Sequence, residues 1–298
     1  MRAGAVGSGT VRPARGRARV LGRRLFRSPV GLAGAAILLT VVAGAAAAPQ
    51  LSPTDPTALH FDTRLLPPAW LPGGSGAHLL GTDDLGRDIL SRVLYGSRVS
   101  VIVGFSAVCI ATAIGVTAGL AAGYFGGAVD VMISRVVDAF VAIPFIILAL
   151  ATIGALGPGL LNLIVVLGAA GWVSFCRVVR GETLALGVRE FVLAARASGE
   201  TSGRILRRHL LPNVAPSVIV LATLEVAATI LAESSLSFLG LGVQPPTISW
   251  GSMLANGRQY VATGWWLATF PGLAITVTVL GIIFLGDWLR DVLDPRLR

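Results

Sequence analysis

Two carboxylates, Glu225 and Glu233, stand in or near an apolar run at 216–238, and no other side chains are better placed for chemistry at membrane depth. A carboxylate in hydrocarbon is costly, so each must face a bundle interior or water. Glu225 lies about nine residues into that run, roughly 14 Å along a helix axis at about 1.5 Å per residue. Two readings of it stay open: lining a solute path, where it meets a cationic group of the solute or an arginine of a partner, or a protonated hydrogen-bonded contact between helices. Arg135 and Asp138, three residues apart, share a helix face and read as a structural ion pair. Pro144 removes one backbone hydrogen bond from the run at 136–156 and should kink it. Such a kink is either a gate element or simple architecture, since prolines are tolerated in spans. Cys109 and Cys176 are isolated, without metal-ligand spacing, and read as small packing residues. His60, His78 and His209 are scattered and form no catalytic grouping. All 24 basic residues other than histidine are arginine. A phosphate-binding loop of the G-x-x-x-x-G-K-[ST] type needs a lysine, so the chain holds no nucleotide by that route.

The elements that must position these groups are set by hydropathy. The 298 residues are 54% hydrophobic and 13% charged, whereas a soluble domain carries about 25% charged residues. That excess of apolar surface needs a lipid solvent. Runs of about 20 apolar residues cross a bilayer as helices, and six occur, at 30–48, 99–123, 136–156, 160–175, 216–238 and 267–285. The expectation is an all-α integral membrane protein with six transmembrane helices. Ser28 and Pro29 punctuate the first as a cap and a first-turn proline. Gly157-Pro158-Gly159 makes a tight turn between the third and fourth.

Residues 1–29 form an arginine-rich tail with no acid. Nucleic-acid binding would leave the spans unused, and a secretory signal would have a shorter apolar core, of about 7–15 residues. The positive-inside rule instead holds the tail in the cytoplasm. The segment 176–213, with Arg177, Arg180, Arg189, Arg196, Arg204, Arg207 and Arg208, is then also cytoplasmic, as is the tail at 288–298. The segments 49–98 and 239–266 fall outside. Both termini are expected in the cytoplasm, and Trp250, Tyr260, Trp265 and Trp266 are expected in an outer aromatic belt.

The segment 176–213 is not linker-like. Phe191, Val192, Ala194, Ala195 and Ala197 suit a short helix, Gly199 interrupts, and Ile205 to Leu211 resume the pattern until Pro212-Asn213 ends it. Two short helices meeting near Gly199 either anchor the loop at the interface or dock a cytoplasmic partner.

Ala194-Ala195-x3-Gly199 followed by Leu211-Pro212 resembles the EAA loop of ATP-binding-cassette importer permeases, with Leu193 where the family carries its glutamate. Three further segments resemble the dipeptide/oligopeptide/nickel permease group, second permease subunit type. They are Gly81-Thr82-Asp83-Asp84-Leu85-Gly86-Arg87-Asp88 with Ser91-Arg92, Glu233-Ser234-Ser235-Leu236-Ser237-Phe238-Leu239-Gly240 through Ser249-Trp250-Gly251, and the end from Asp287 through Arg290-Asp291-x2-Asp294-Pro295-Arg296. The resemblance implies a type I importer permease fold, with the permease domain over 99–287. It implies a coupling loop through Ala194, Ala195, Arg196, Gly199, Gly203, Leu211 and Pro212, seated on an ATPase. The implied partners are a second homologous permease subunit, two ATPase subunits that carry ATP and magnesium, an extracytoplasmic solute-binding protein and the bilayer. No cofactor, metal or nucleic acid is expected on this chain. The implied solutes are di- and oligopeptides, with nickel, glutathione or haem as alternatives. A membrane scaffold or receptor is the non-transport alternative and needs no Ala/Gly loop. An intramembrane enzyme would need a histidine or paired acid beside Glu225 or Glu233, and neighbouring runs supply none.

Overall fold

The computed structural model describes residues 24–293. The arginines at 2–23 and the Asp294-Pro295-Arg296 end lie outside the described residues. The chain is all-helical there, apart from an isolated bridge between Thr82 and Asp88. Five helices are long and apolar enough to span a membrane: α1 (Pro29–Ala46), α2 (Ile89–Phe125), α5 (Leu160–Gly187), α7 (Ser202–Phe238) and α9 (Trp266–Leu293). Between α2 and α5 lie α3 (Gly127–Ala142) and α4 (Phe145–Leu156), α6 (Glu190–Ala197) precedes α7, and α8 (Trp250–Gly257) precedes α9.

The third run does not form one kinked helix. It is broken into α3 and α4, which meet at 90°. Proline disfavours the helical conformation of the residue before it, and Ile143 is extended, with φ −97° and ψ 121°. Pro144 then starts α4 as its N-cap. The sixth span therefore exists only if this bent pair is taken together.

The helices outlast their apolar runs. α2 begins at Ile89 rather than 99, α5 continues to Gly187, twelve residues into the expected loop at 176–213, and α9 runs to Leu293. Their added turns carry charged residues, such as Arg92 and Arg98 in α2, Arg177, Arg180 and Glu182 in α5, and Asp287, Arg290 and Asp291 in α9, so hydropathy does not detect them. Pro212 does not end a helix. The Leu211 amide donates to the Leu206 carbonyl five residues back, in a π-turn at Leu206–Leu210, and the helix passes through Pro212 into α7. Proline lacks an amide hydrogen, so its place just past this widened turn forfeits one ladder bond without breaking the rod.

α1 starts as expected: Ser28 Oγ accepts from the Gly31 amide, with Pro29 in the first turn. The closest helix pair is α2 against α5. Gly115, Gly119 and Gly123 repeat every fourth residue along one face of α2, and a Cβ on Gly119 would stand 2.7 Å from the Cys176 carbonyl oxygen. Small residues at this spacing let backbones approach where no hydrophobic drive exists between helices. Arg180 of α5 also clamps α3, its Nη2 donating to Asp130 Oδ2 at 2.7 Å and its Nε to Oδ1.

Candidate functional site

The two ends of the bundle carry the polar and exposed features. On the α6 face, Gly199 closes α6 with φ +75°. Its amide donates to the Arg196 carbonyl and the Glu200 amide to the Ala195 carbonyl, the paired bonds of a Schellman cap. The left-handed conformation suits glycine because it has no Cβ to clash. Val192 and Ala195 are buried with Val116, Leu120, Val179, Ile205, Leu210 and Val214, seating α6 on the ends of α2, α5 and α7. The opposite side of α6 presents Phe191, Leu193, Ala194, Arg196 and Ala197 to the exterior. The Arg196 guanidinium lies 4.8 Å from the centroid of the Tyr124 ring. His209 Nε2 stands 3.1 Å from Glu200 Oε2, joining the hinge after α6 to the π-turn of α7. Of the expected coupling residues, Ala194, Arg196, Gly199, Gly203, Leu211 and Pro212 are exposed, and Ala195 is buried.

The opposite, cap face is a locked polar network. Asp88 caps α2: its Oδ2 accepts from the Ser91 amide at 2.8 Å and the Ser91 hydroxyl at 2.7 Å, while its Oδ1 meets His78 Nδ1 at 3.0 Å. Asp83 Oδ1 accepts from the Leu85 and Arg87 amides, and its Oδ2 takes Arg87 Nε at 2.7 Å with Arg92 Nε at 3.5 Å. Thr82 donates to the Thr63 carbonyl and accepts from the Leu66 amide, pinning the segment 63–66. Asp55 accepts from the hydroxyl and amide of Thr57, which holds its carboxyl below the ordinary value.

Several expected residues fall elsewhere. Trp250 and Trp266 do not belong to an exposed belt. They are buried, and their indole Nε1 groups donate to the Val93 carbonyl at 2.9 Å and the Thr82 carbonyl at 3.0 Å. Exposed aromatics on that side include Trp70 and Trp265, each packed against Phe270. Arg135 and Asp138 form no ion pair among the described residues; both are exposed, and the helix-to-helix pair is Arg180–Asp130. Spacing along one helix could suggest the first pair, but the second spans 50 positions and has no local signal.

Glu233 does not face an open path. It is 0% exposed, Ser237 Oγ donates to its Oε1 at 2.8 Å, and Ser234 lies at 3.4 Å from its Oε2. Gly242 and Gly251 pack directly on Ser237 and Ser234, closing the pocket. Glu225 is half-buried on α7 and enters no ion pair among the described residues. Pro144 sits at the exposed α3–α4 break. The glycine stripe of α2 was the missed architectural feature, and the Gly-x3-Gly-x3-Gly spacing would have revealed it.

Residues 115–298 match the family model described as binding-protein-dependent transport system inner membrane component. Residues 18–68 match the N-terminal TM domain of oligopeptide transport permease C. The di/tripeptide transport system permease protein DppC of Pseudomonas aeruginosa is 41% identical over 267 residues, covering 90% of this chain and 88% of that protein. The dipeptide transport system permease protein DppC of Bacillus subtilis is 41% identical over 277 residues, covering 93% and 85%. Among solved structures, an inward-facing form of the MetNI methionine ABC transporter superposes with a TM-score of 0.56 at 23% identity, over 68% of this chain and 96% of that one. That likeness speaks for the fold alone.

Proposed function

This chain belongs to the family of binding-protein-dependent transport system inner membrane components, and from that premise we propose that it is the pore-forming permease subunit of an importer of di- and oligopeptides. It is a multi-pass bacterial membrane protein and a transporter subunit. The peptide cargo is supported by the relatives named for dipeptide and di/tripeptide transport. ATP and magnesium reside on two separate ATPase subunits. A second permease completes the pore, and an extracytoplasmic binding protein delivers the solute. The positive-inside rule, applied to the arginine-rich flank of α1 and the arginines around α6, supports a cytoplasmic α6 face and cytoplasmic termini.

The single observation that carries the mechanism is α6: a short helix anchored on one side by Val192 and Ala195 and bare on the other, with Leu193 and Ala194 presented outward. That bare side seats in the ATPase. Closure of the ATPase pair moves α6, and Gly199 with the Glu200–His209 contact passes the displacement to α7. The bundle then switches between two rigid packings. Glu225 lies on that moving helix and lines the solute path.

The test is reconstitution of the chain with its second permease, two ATPases and binding protein in vesicles. ATP-dependent accumulation of a labelled dipeptide is expected; ATP hydrolysis without accumulation contradicts the importer reading. In the same vesicles Glu225→Gln should lower uptake and leave assembly and basal ATPase intact, and normal uptake by that variant removes Glu225 from the path.

A further inference from the structure

The cap face contains a cleft of about 580 Å³, inside the roughly 300–1,000 Å³ range of small-ligand sites. Its walls come from the bridge segment, the first turn of α2, the loop after α7 and the end of α8. Three arginines line it, Arg87, Arg92 and Arg258, together with the side chains of Asn256 and Ser252 and no carboxylate. The nearest acids are already engaged. Asp83 is taken by two backbone amides, Arg87 and Arg92, and Asp84 stands 3.9 Å from Arg87. Arg92 is further held by donation to the Pro56 carbonyl at 3.2 Å.

Arg258 differs from the other two. It opens the turn after α8, is exposed, and has no acid within ion-pair reach among the described residues. Its guanidinium carbon lies 5.1 Å from the centroid of the Phe238 ring. Stacking on an aromatic face fixes the guanidinium plane and leaves its N–H edge to bind a planar anion by two parallel bonds. An ammonium ligand would find no acid in the cleft wall, whereas a carboxylate finds the unpaired guanidinium of Arg258, with Arg87 and Arg92 already paired to Asp83.

We infer that this cleft is a carboxylate-binding site, with Arg258 as its principal donor and the C-terminal carboxylate of the peptide cargo as its occupant. The inference rests on the peptide-importer reading. It adds a specificity element at the outer mouth: a free C-terminus is recognised there before the solute reaches the bundle.

The experiment uses the purified complex of the full chain with its partner subunits, without the binding protein. Affinity for a dipeptide and for its C-terminal amide is measured by calorimetry. Bonds to a charged group lost with the carboxylate should make the free acid bind roughly tenfold more tightly than the amide. Arg258→Gln should bring the acid down to the level of the amide, and Arg258→Lys, which keeps the charge, should recover part of the difference. Equal binding of acid and amide by the wild type, or undiminished acid preference in Arg258→Gln, overturns the site. In a second measurement with the binding protein added, loss of its stimulation of the ATPase in Arg258→Gln with peptide affinity unchanged also overturns it, assigning the cleft to an acidic side chain of the binding protein. Vesicle uptake separates the two levels: a wild-type complex that imports the dipeptide but shows no acid preference defeats the site alone, and one that imports no peptide defeats the transport reading beneath it.

Discussion

On the cap face, Asp83 and Asp88 each gather several donors, and two buried tryptophans donate their indole N–H groups to carbonyls at the base of the segments they cover. On the α6 face, the ties that hold the exposed helix include two buried side chains, one cation stacked on Tyr124, and a Glu200–His209 contact about one quarter exposed. The cap is a preformed platform, in which removing one polar group strands others. The α6 hairpin is a light element that can be displaced as a unit, because its internal cap at Gly199 is strong and its external contacts are few. The proposed importer, receiving a solute at one end and a mechanical input at the other, calls for this inequality.

The comparison breaks first at the cap. Asp88→Ala leaves the Ser91 amide and His78 buried without their partner, and each buried polar group stranded in this way costs about 1–3 kcal/mol. The expected result is a large fall in the thermal midpoint of the detergent-solubilised protein; an unchanged midpoint would mean that the cap is not the rigid end. Gly199→Val comes next. A Cβ at φ +75° costs about 1–2 kcal/mol, local to the hairpin, so the thermal midpoint falls less while the ratio of solute imported to ATP hydrolysed collapses. Copurified ATPases with full uptake would show that this hinge transmits nothing. His209→Ala is the smallest. The pair is about one quarter exposed on both sides, so its loss costs under about 1 kcal/mol of stability. A modest drop in the coupling ratio at unchanged midpoint is expected, and a large stability loss would move the α6 face into the same class as the cap.

Much of this architecture was legible in the residues, and the exceptions have physical causes. Lipid selects long apolar runs, so α1 and the cores of α2, α5, α7 and α9 stand out. A hydropathy window sums composition without geometry, so it joined α3 and α4 across Pro144, although the restriction proline places on Ile143 was present in the chain. Gly199 was readable because a left-handed cap selects glycine. The burial of Trp250 and Trp266 was not readable. An indole that sits at an interface and one that donates into a core share the same amphipathic character, and only the position of the Val93 and Thr82 carbonyls decides between them. The pairing of Arg180 with Asp130 likewise depends on how α5 crosses α3.

The bare side of α6 is the proposed seat of the ATPase. A cysteine at Ala194, in a chain whose Cys109 and Cys176 have been replaced, tests it by short-span cross-linking in membranes holding the assembled importer. A covalent adduct between this chain and an ATPase subunit is expected. ATPases that copurify and hydrolyse ATP while yielding no adduct from position 194 would contradict it.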